Sequence, residues 1–166
     1  MEVKVIKKLT VCFTGHRKIP QEYYGSIEQR LEKTIVELIE DGYRYFGAGG
    51  ALGFDTMAAQ AVIKLRTKYP MIRLILVLPC ASQTRGWSIA DVDEYERIKN
   101  SADKVVYVSR EYTRDCMFKR NRHLVDNSDV CVCYLTEVRG GTAYTVNYAS
   151  VKGLRIINIG EFEDFD

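Results

Sequence analysis

The sequence lacks most features that would assign it to a specialised class of protein. It contains three prolines and one tryptophan, and it has no internal repeat, low-complexity tract or Pro/Ser-rich linker. No hydrophobic run is long enough to span a membrane. The basic N-terminal stretch lacks the cleavage site of a signal peptide. We therefore expect residues 1–166 to form one cytoplasmic globular domain.

An excess of one charge is also missing. Lys and Arg number 24 against 22 Asp and Glu, which gives a net charge of +2. This balance does not predict nucleic-acid binding. The five cysteines form neither a C-x-x-C pair nor a metal-binding spacing, so we expect reduced core thiols, no metal site and no cofactor. They are Cys12, Cys80, Cys116, Cys131 and Cys133.

What is present is a regular alternation of short apolar runs and amphipathic segments. We predict strands at 10–14, 43–46, 72–78, 104–108, 130–135 and 155–159, and helices at 26–41, 53–68, 91–101, 114–127 and 141–153. Ser26 and Gln29 are predicted to form a capping box, and Thr113 an N-cap. An acidic tail follows the last strand. The pattern predicts an α/β fold, an open, mainly parallel sheet of about six strands with helices on both faces.

Three of the predicted strands end in glycine-marked turns. Ligands of open α/β sheets bind at the carboxyl ends of the strands, and a glycine turn before a helix can hold an anion. The three turns therefore predict one ligand-binding edge. Tight turns and helix caps favour the same residues, so the structural interpretation stays open for each turn. The residues are Gly15 after strand one, Gly49, Gly50 and Gly53 after strand two, and Gly140, Gly141 and Thr142 after strand five, with Thr145 one turn later.

Polar residues beside these turns are the candidates for ligand contacts. Arg17 can pair with a phosphate, and His16 can hydrogen-bond a ligand or remain structural. Asp55 at the start of the second helix can bind ligand hydroxyls, or it can simply complement the helix dipole.

Two further groups of residues each have a ligand-binding and a structural interpretation. The basic run at 119–122 includes Arg120 and Asn121, of which one or two can face the ligand while the others form a solvated face. In the long connection at 79–90, Trp87 and Gln83 are suited to stacking on a base and reading it, or Trp87 can plug the loop onto the core.

Taken together, these motifs resemble the SLOG (SMF/DprA–LOG) superfamily, and more closely its YpsA-like branch. The resemblance covers nearly the whole chain. It is carried by Thr14-Gly15-His16-Arg17, Gly49-Gly50-Ala51-Leu52-Gly53-Phe54-Asp55, Gln83 with Trp87, Arg120-Asn121-Arg122 through Asp129, and Gly140-Gly141-Thr142.

The resemblance implies a Rossmann-like fold and a nucleotide-type ligand, such as a nucleoside monophosphate or an ADP-ribose-like molecule. The LOG relatives hydrolyse the bond between base and ribose phosphate with an arginine and a glutamate. Arg120 matches the arginine, but Thr145 occupies the glutamate position, and threonine cannot supply the negative charge. Asp55 and Glu137 are the remaining candidates for a catalytic carboxylate. The resemblance thus implies a binding protein, a sensor or regulator, with a phosphoribohydrolase as the alternative.

Three further implications follow from the resemblance. The YpsA-like branch is linked to bacterial cell division, and LOG relatives are often dimers, so a homodimer is one expected state. The DprA relatives bind single-stranded DNA. We rank that function last for this chain, because basic and aromatic residues do not interleave.

Overall fold

The computed structural model describes residues 8–160 and contains one six-stranded sheet. The basic N-terminal stretch up to residue 7 and the acidic tail after residue 160 lie outside the described residues. Every strand pairing is parallel, and the strand order is β4-β3-β2-β1-β5-β6. In chain order the elements are β1 (Thr10–Gly15), α1 (Gln21–Glu40), β2 (Tyr45–Ala48), α2 (Phe54–Arg66), β3 (Arg73–Leu78), α3 (Ile89–Ser101), β4 (Lys104–Tyr107), α4 (Cys116–Asp126), β5 (Val130–Tyr134), α5 (Gly141–Val151) and β6 (Arg155–Asn158).

Helices cover both faces of the sheet, as the sequence predicts. The chain moves outward from β1 to β4 and then returns to β5 on the other side of β1. Because parallel crossovers are right-handed, this reversal places α1, α2 and α3 on one face and α4 and α5 on the other. Alternate residues of each central strand therefore enter different cores: Phe13 packs with α1 and α2, whereas Cys12 packs with α4 and α5.

The reversal creates a switch point between β1 and β5. These strands are in register from Val11 opposite Val130 to Gly15 opposite Tyr134. In sheets of this kind the crevice outside the carboxyl ends at the switch point is where ligands bind. Two of the three predicted glycine turns, those after β1 and β5, flank this crevice.

Several element boundaries differ from the sequence prediction, and three of the differences bear on packing or capping. Helix α1 starts at Gln21, with Pro20 at the N-cap position, so the predicted capping box of Ser26 and Gln29 is wrong. Residues 21–26 are all exposed, and this first turn therefore carries no apolar pattern. Helix α4 starts at Cys116, and Thr113 is not its N-cap, because its hydroxyl donates to the Asp115 carboxylate at 3.0 Å.

Strand β2 continues through Gly47 to Ala48, whereas the sequence predicts that the strand ends at residue 46. A Cβ at Gly47 would lie 2.9 Å from the Leu124 side chain, so this glycine lets α4 pack closely on the sheet. No helix within residues 8–160 is long and apolar enough to cross a membrane.

Candidate functional site

A cavity of about 360 Å³ lies at the carboxyl ends of β1 and β5, in the range of small-molecule sites. It is bordered by the loop after β1, the start of α2, one face of α4 and the turn into α5. Ten predicted site residues line it: Gly15, His16, Arg17, Asp55, Arg120, Asn121, Glu137, Gly140, Gly141 and Thr142. The other predicted ligand residues, Gly49, Gly50, Gly53, Gln83, Trp87 and Thr145, are not among the residues that line it.

The loop after β1 is fixed by two close approaches. A Cβ at Gly15 would overlap the Phe54 ring, and a Cβ at Gly53, whose φ is +78°, would overlap the Arg17 carbonyl group. The Phe54 N–H also donates to the His16 carbonyl at 3.1 Å. These glycines therefore join the loop to the start of α2, and the loop presents Arg17 to the cavity.

Opposite charges are buried at the floor of the cavity. Asp55 is 6% exposed and Arg120 is 5% exposed. Burial raises the pKa of Asp55, and this effect is partly offset by the positive charge of Arg120 and by the N–H of Ala51, which donates to the carboxylate at 3.2 Å. Burial likewise lowers the pKa of Arg120, and the Asp55 carboxylate opposes that shift. Each charge thus helps the other to remain ionised away from water.

The guanidinium of Arg120 also holds the glycine loop after β2. It donates through Nη1 to the Gly49 carbonyl and through Nε to Asn121 Oδ1, the latter at 2.7 Å. A Cβ at Gly49 would lie 2.5 Å from Nη1, so only glycine leaves room for this contact. Of the basic run at 119–122, Arg120 is therefore the buried residue that braces the site, whereas Lys119 is exposed and pairs with Asp115 at 3.8 Å.

Gln83 also hydrogen-bonds the carbonyl group of Gly49. Its Nε2 donates to the Gly49 oxygen at 3.3 Å, while its own Oε1 is buried without a partner within the described chain. Trp87 packs edge-on against Tyr95, with ring centroids 5.6 Å apart. Of the two interpretations of Trp87, these contacts favour the one in which the side chain anchors the loop on the core.

The turn into α5 is open toward the cavity. Gly140 has φ +105°, which favours glycine, but Gly141 has no such backbone requirement, and a Cβ there would meet nothing within 4 Å. Nothing in the described fold therefore demands glycine at position 141. The first N–H groups of α5 and the Thr142 hydroxyl are donors suited to an anion.

Thr145 is turned into the helix. It is 2% exposed, and its hydroxyl donates to the Gly141 carbonyl at 2.9 Å. The loop before α5 is also tied to the loop after β1, because Thr136 donates its N–H to His16 Nε2 at 3.0 Å. This bond requires the neutral imidazole with its proton on Nδ1. His16 therefore holds the two loops together and lines the cavity at the same time.

Five lining residues are not among the predicted site residues: Thr14, Ala51, Met117, Phe118 and Arg139. Met117 and Phe118 lie in the first turn of α4. Neither residue is a glycine or carries a charge, so neither marks a site in the sequence. Arg139 precedes the glycines of the α5 turn and adds a third arginine to the cavity. Among residues 8–160, no group of three or more His, Cys, Asp or Glu is placed to hold a metal ion.

The parallel sheet with its crevice at the switch point defines a Rossmann-like α/β protein. A family model described as the YspA SLOG family matches residues 12–155, and the chain belongs to this family.

Two of the relatives that it resembles come from Bacillus. It is 32% identical to the uncharacterized SPbeta prophage-derived protein YoqJ of Bacillus subtilis (strain 168), over 74% of this chain and 80% of that protein. It is 30% identical to a UPF0398 protein of Bacillus thuringiensis (strain Al Hakam), over 76% of this chain and 71% of that protein.

Among solved structures, the fold is similar to that of DNA processing protein A from Helicobacter pylori, which was described for its single-stranded DNA binding mode. The TM-score is 0.65 at 19% identity, and the match covers 90% of this chain but only 64% of the Helicobacter chain. At this identity the similarity extends to the fold alone. It supports the Rossmann-like fold. Membership of the SLOG family supports a nucleotide-related fold.

Proposed function

We propose that the cavity binds a nucleotide or nucleotide-derived ligand, such as a nucleoside monophosphate or an ADP-ribose-like molecule, and that the protein acts as its sensor or regulator. The observation that carries this proposal is the convergence of three arginines and an open helix N-terminus on one cavity. Arg17, Arg120 and Arg139 supply positive charge, and the Gly140–Gly141 turn supplies unpaired N–H donors. Together these groups match a phosphate better than any neutral ligand.

Asp55 supports the nucleoside part of the proposal. Its carboxylate is buried at the cavity floor and accepts a hydrogen bond from the N–H of Ala51. A carboxylate has room for further donors, and ribose hydroxyls are such donors. A ligand with an anionic end and a hydroxyl-bearing sugar would use both parts of the site.

The test uses a glycine substitution whose steric effect is confined to the cavity. Gly141→Val fills space that is empty in the free protein, so we expect the fold to persist and binding to be lost. Gly25→Val on the exposed face of α1 is the matched control, because a Cβ there also meets nothing within 4 Å. A panel of nucleoside monophosphates and ADP-ribose is compared by thermal unfolding. A ligand at 100 times its Kd stabilises by about 2.7 kcal/mol, roughly 5–10 °C in Tm for a chain of this size.

The outcomes separate the alternatives. A Tm rise in the wild type and in Gly25→Val, but not in Gly141→Val, supports the site. No rise with any nucleotide contradicts the proposal. A rise only with a short single-stranded oligonucleotide, weakened steeply by salt, would instead favour the nucleic-acid function of the DprA neighbours.

One observation favours hydrolysis as a second candidate function. Two carboxylates, Asp55 and Glu137, line the same cavity as Arg120, although neither comes from the α5 position expected in the LOG relatives. A carboxylate can stabilise the positive charge that develops on the sugar when an N-glycosidic bond breaks. Base release from nucleoside monophosphates, followed by chromatography, tests this candidate. Activity that disappears in Asp55→Asn but not in Glu137→Gln would assign the carboxylate; no base release from any nucleotide leaves the sensor function.

A further inference from the structure

Trp87, which the sequence suggests for stacking on a base, does not line the cavity, but another aromatic side chain does. Trp87 packs against Tyr95, whereas Phe118 is the only Phe, Tyr or Trp that lines the cavity within residues 8–160. We propose that Phe118 forms a stacking subsite for the nucleobase of the ligand, with Asn121 beside it to hydrogen-bond the base edge. This inference rests on the proposed function and adds the part of the ligand that the arginines do not select.

Phe118 is placed as a platform. Its side chain is 42% exposed, an uncommon position for so apolar a group. Its ring meets Tyr144 edge-to-face, with centroids 5.0 Å apart and an interplanar angle of 78°. Such a contact occupies at most one face of the Phe118 ring. The pair retains an aromatic face for a flat partner.

The platform is joined to the turn proposed for the phosphate. Tyr144 lies in the first turn of α5, and its N–H donates to the Gly140 carbonyl at 3.0 Å. Phe118 therefore packs directly on the helix whose N-terminus borders the anion site. A ligand that combines a phosphate with a nearby planar ring can reach both groups at once, as a mononucleotide does.

Asn121 supplies a polar group on the same side of α4. It lies three residues after Phe118, which places the two on one helical face, and both line the cavity. Its Oδ1 accepts from Arg120 Nε at 2.7 Å. This bond fixes the amide orientation and leaves the NH₂ group to donate to a ring nitrogen or carbonyl on the base edge.

The experiment compares AMP with ribose 5-phosphate, which has the same sugar phosphate but no base, by isothermal titration calorimetry. We expect wild-type protein to bind AMP more tightly. Phe118→Ala should weaken AMP roughly 5- to 150-fold, the range for losing one base–aromatic stack, and leave ribose 5-phosphate unchanged. Phe118→Trp should keep the preference for AMP, and Phe118→Leu, apolar but without a π face, should lose it.

Tyr24→Ala is the matched control, since Tyr24 is a helical aromatic with 40% exposure that does not line the cavity. This control should bind both compounds as the wild type does. The stacking subsite is overturned if Phe118→Ala or Phe118→Leu retains the full preference for AMP, or if the wild type binds the two compounds equally. In either case the phosphate site of the proposed function stands. If the wild type binds neither these two compounds nor any other nucleotide, the proposed function fails and the subsite fails with it.

Discussion

At the scale of single residues, Asp55 carries an energetic cost that a purely structural role does not explain. The side chain is buried, and this burial raises its pKa above the ordinary value of 3.8 in spite of Arg120 and the Ala51 N–H. A helix N-terminus is also stabilised by an exposed acidic residue, which would avoid the desolvation. Carboxylates that are kept in the interior at the expense of stability are typical of binding and catalytic sites.

The raised pKa predicts how stability depends on pH. When the folded pKa of a carboxyl lies above the unfolded one, its contribution is fully favourable below the unfolded pKa. That contribution is lost as pH rises through the folded pKa. Asp55→Asn keeps an oxygen for the Ala51 N–H but cannot ionise. We therefore expect the variant to be more stable than the wild type at pH 7. Its free energy of unfolding should be larger by about 1.4 kcal/mol for each unit by which the pKa is raised.

The measurement is urea unfolding of both proteins at a series of pH values from about 3.5, near the reference pKa of Asp, to 7. The advantage of Asp55→Asn should grow with pH and then level off. Asp93→Asn, on the exposed side of α3, controls for the loss of one negative charge. A wild type that is the more stable protein at pH 7 would mean that Arg120 fully compensates the buried carboxylate, contrary to this prediction.

At the scale of elements, the central strands could be predicted because they are covered on both faces and appear as continuous apolar runs. The first turn of α1 could not, since residues 21–26 are exposed and carry no periodic signal. The residues of the candidate site likewise include some that the sequence predicts and some that it does not. Glycines and charges mark loops in a sequence, whereas Phe118 lines the cavity through the packing of α4 on the sheet, where Leu124 lies against Gly47. That packing is a tertiary contact, which no local pattern contains.

The glycines of the site separate into those that the fold requires and those that it does not. Gly15 belongs to the first group, because a Cβ would overlap Phe54. That ring is fully buried between Tyr134, at 6.0 Å, and Phe13, at 6.4 Å between centroids, and has no space to move. We expect Gly15→Ala to destabilise by roughly 1–3 kcal/mol, as overpacking does.

Chemical denaturation of Gly15→Ala beside Gly25→Ala checks this prediction with the same change of one methyl group. Gly25 lies in the exposed part of α1, and alanine there should stabilise by about 0.5–1 kcal/mol through its helix propensity. The two variants should therefore change the unfolding free energy in opposite directions. An unchanged stability in Gly15→Ala would show that the contact between the β1 loop and α2 adapts more easily than the packing implies.

At the scale of the whole molecule, the reactivity of the five cysteines can show which parts of the fold unfold locally and which unfold together. All five are buried, and none of them forms a disulfide. Cys12 and Cys131 are opposite each other in the central strands β1 and β5, and Cys133 follows two residues later, also in β5. Cys80 follows the end of β3, and Cys116 begins α4, so both adjoin loops. The reactivity of each thiol depends on the free energy of the opening that exposes it.

Labelling with a thiol reagent in native buffer should therefore proceed in two classes. We expect Cys80 and Cys116 to react first, through local opening of the loops that adjoin them. Cys12, Cys131 and Cys133 should react only at the rate of global unfolding, because they are buried between the central strands and helices α4 and α5. Mass spectrometry of digested samples assigns the sites, and in concentrated urea all five should label at once. Early labelling of Cys131 would contradict this order and would mean that α4 and α5 detach from the sheet before its central strands separate.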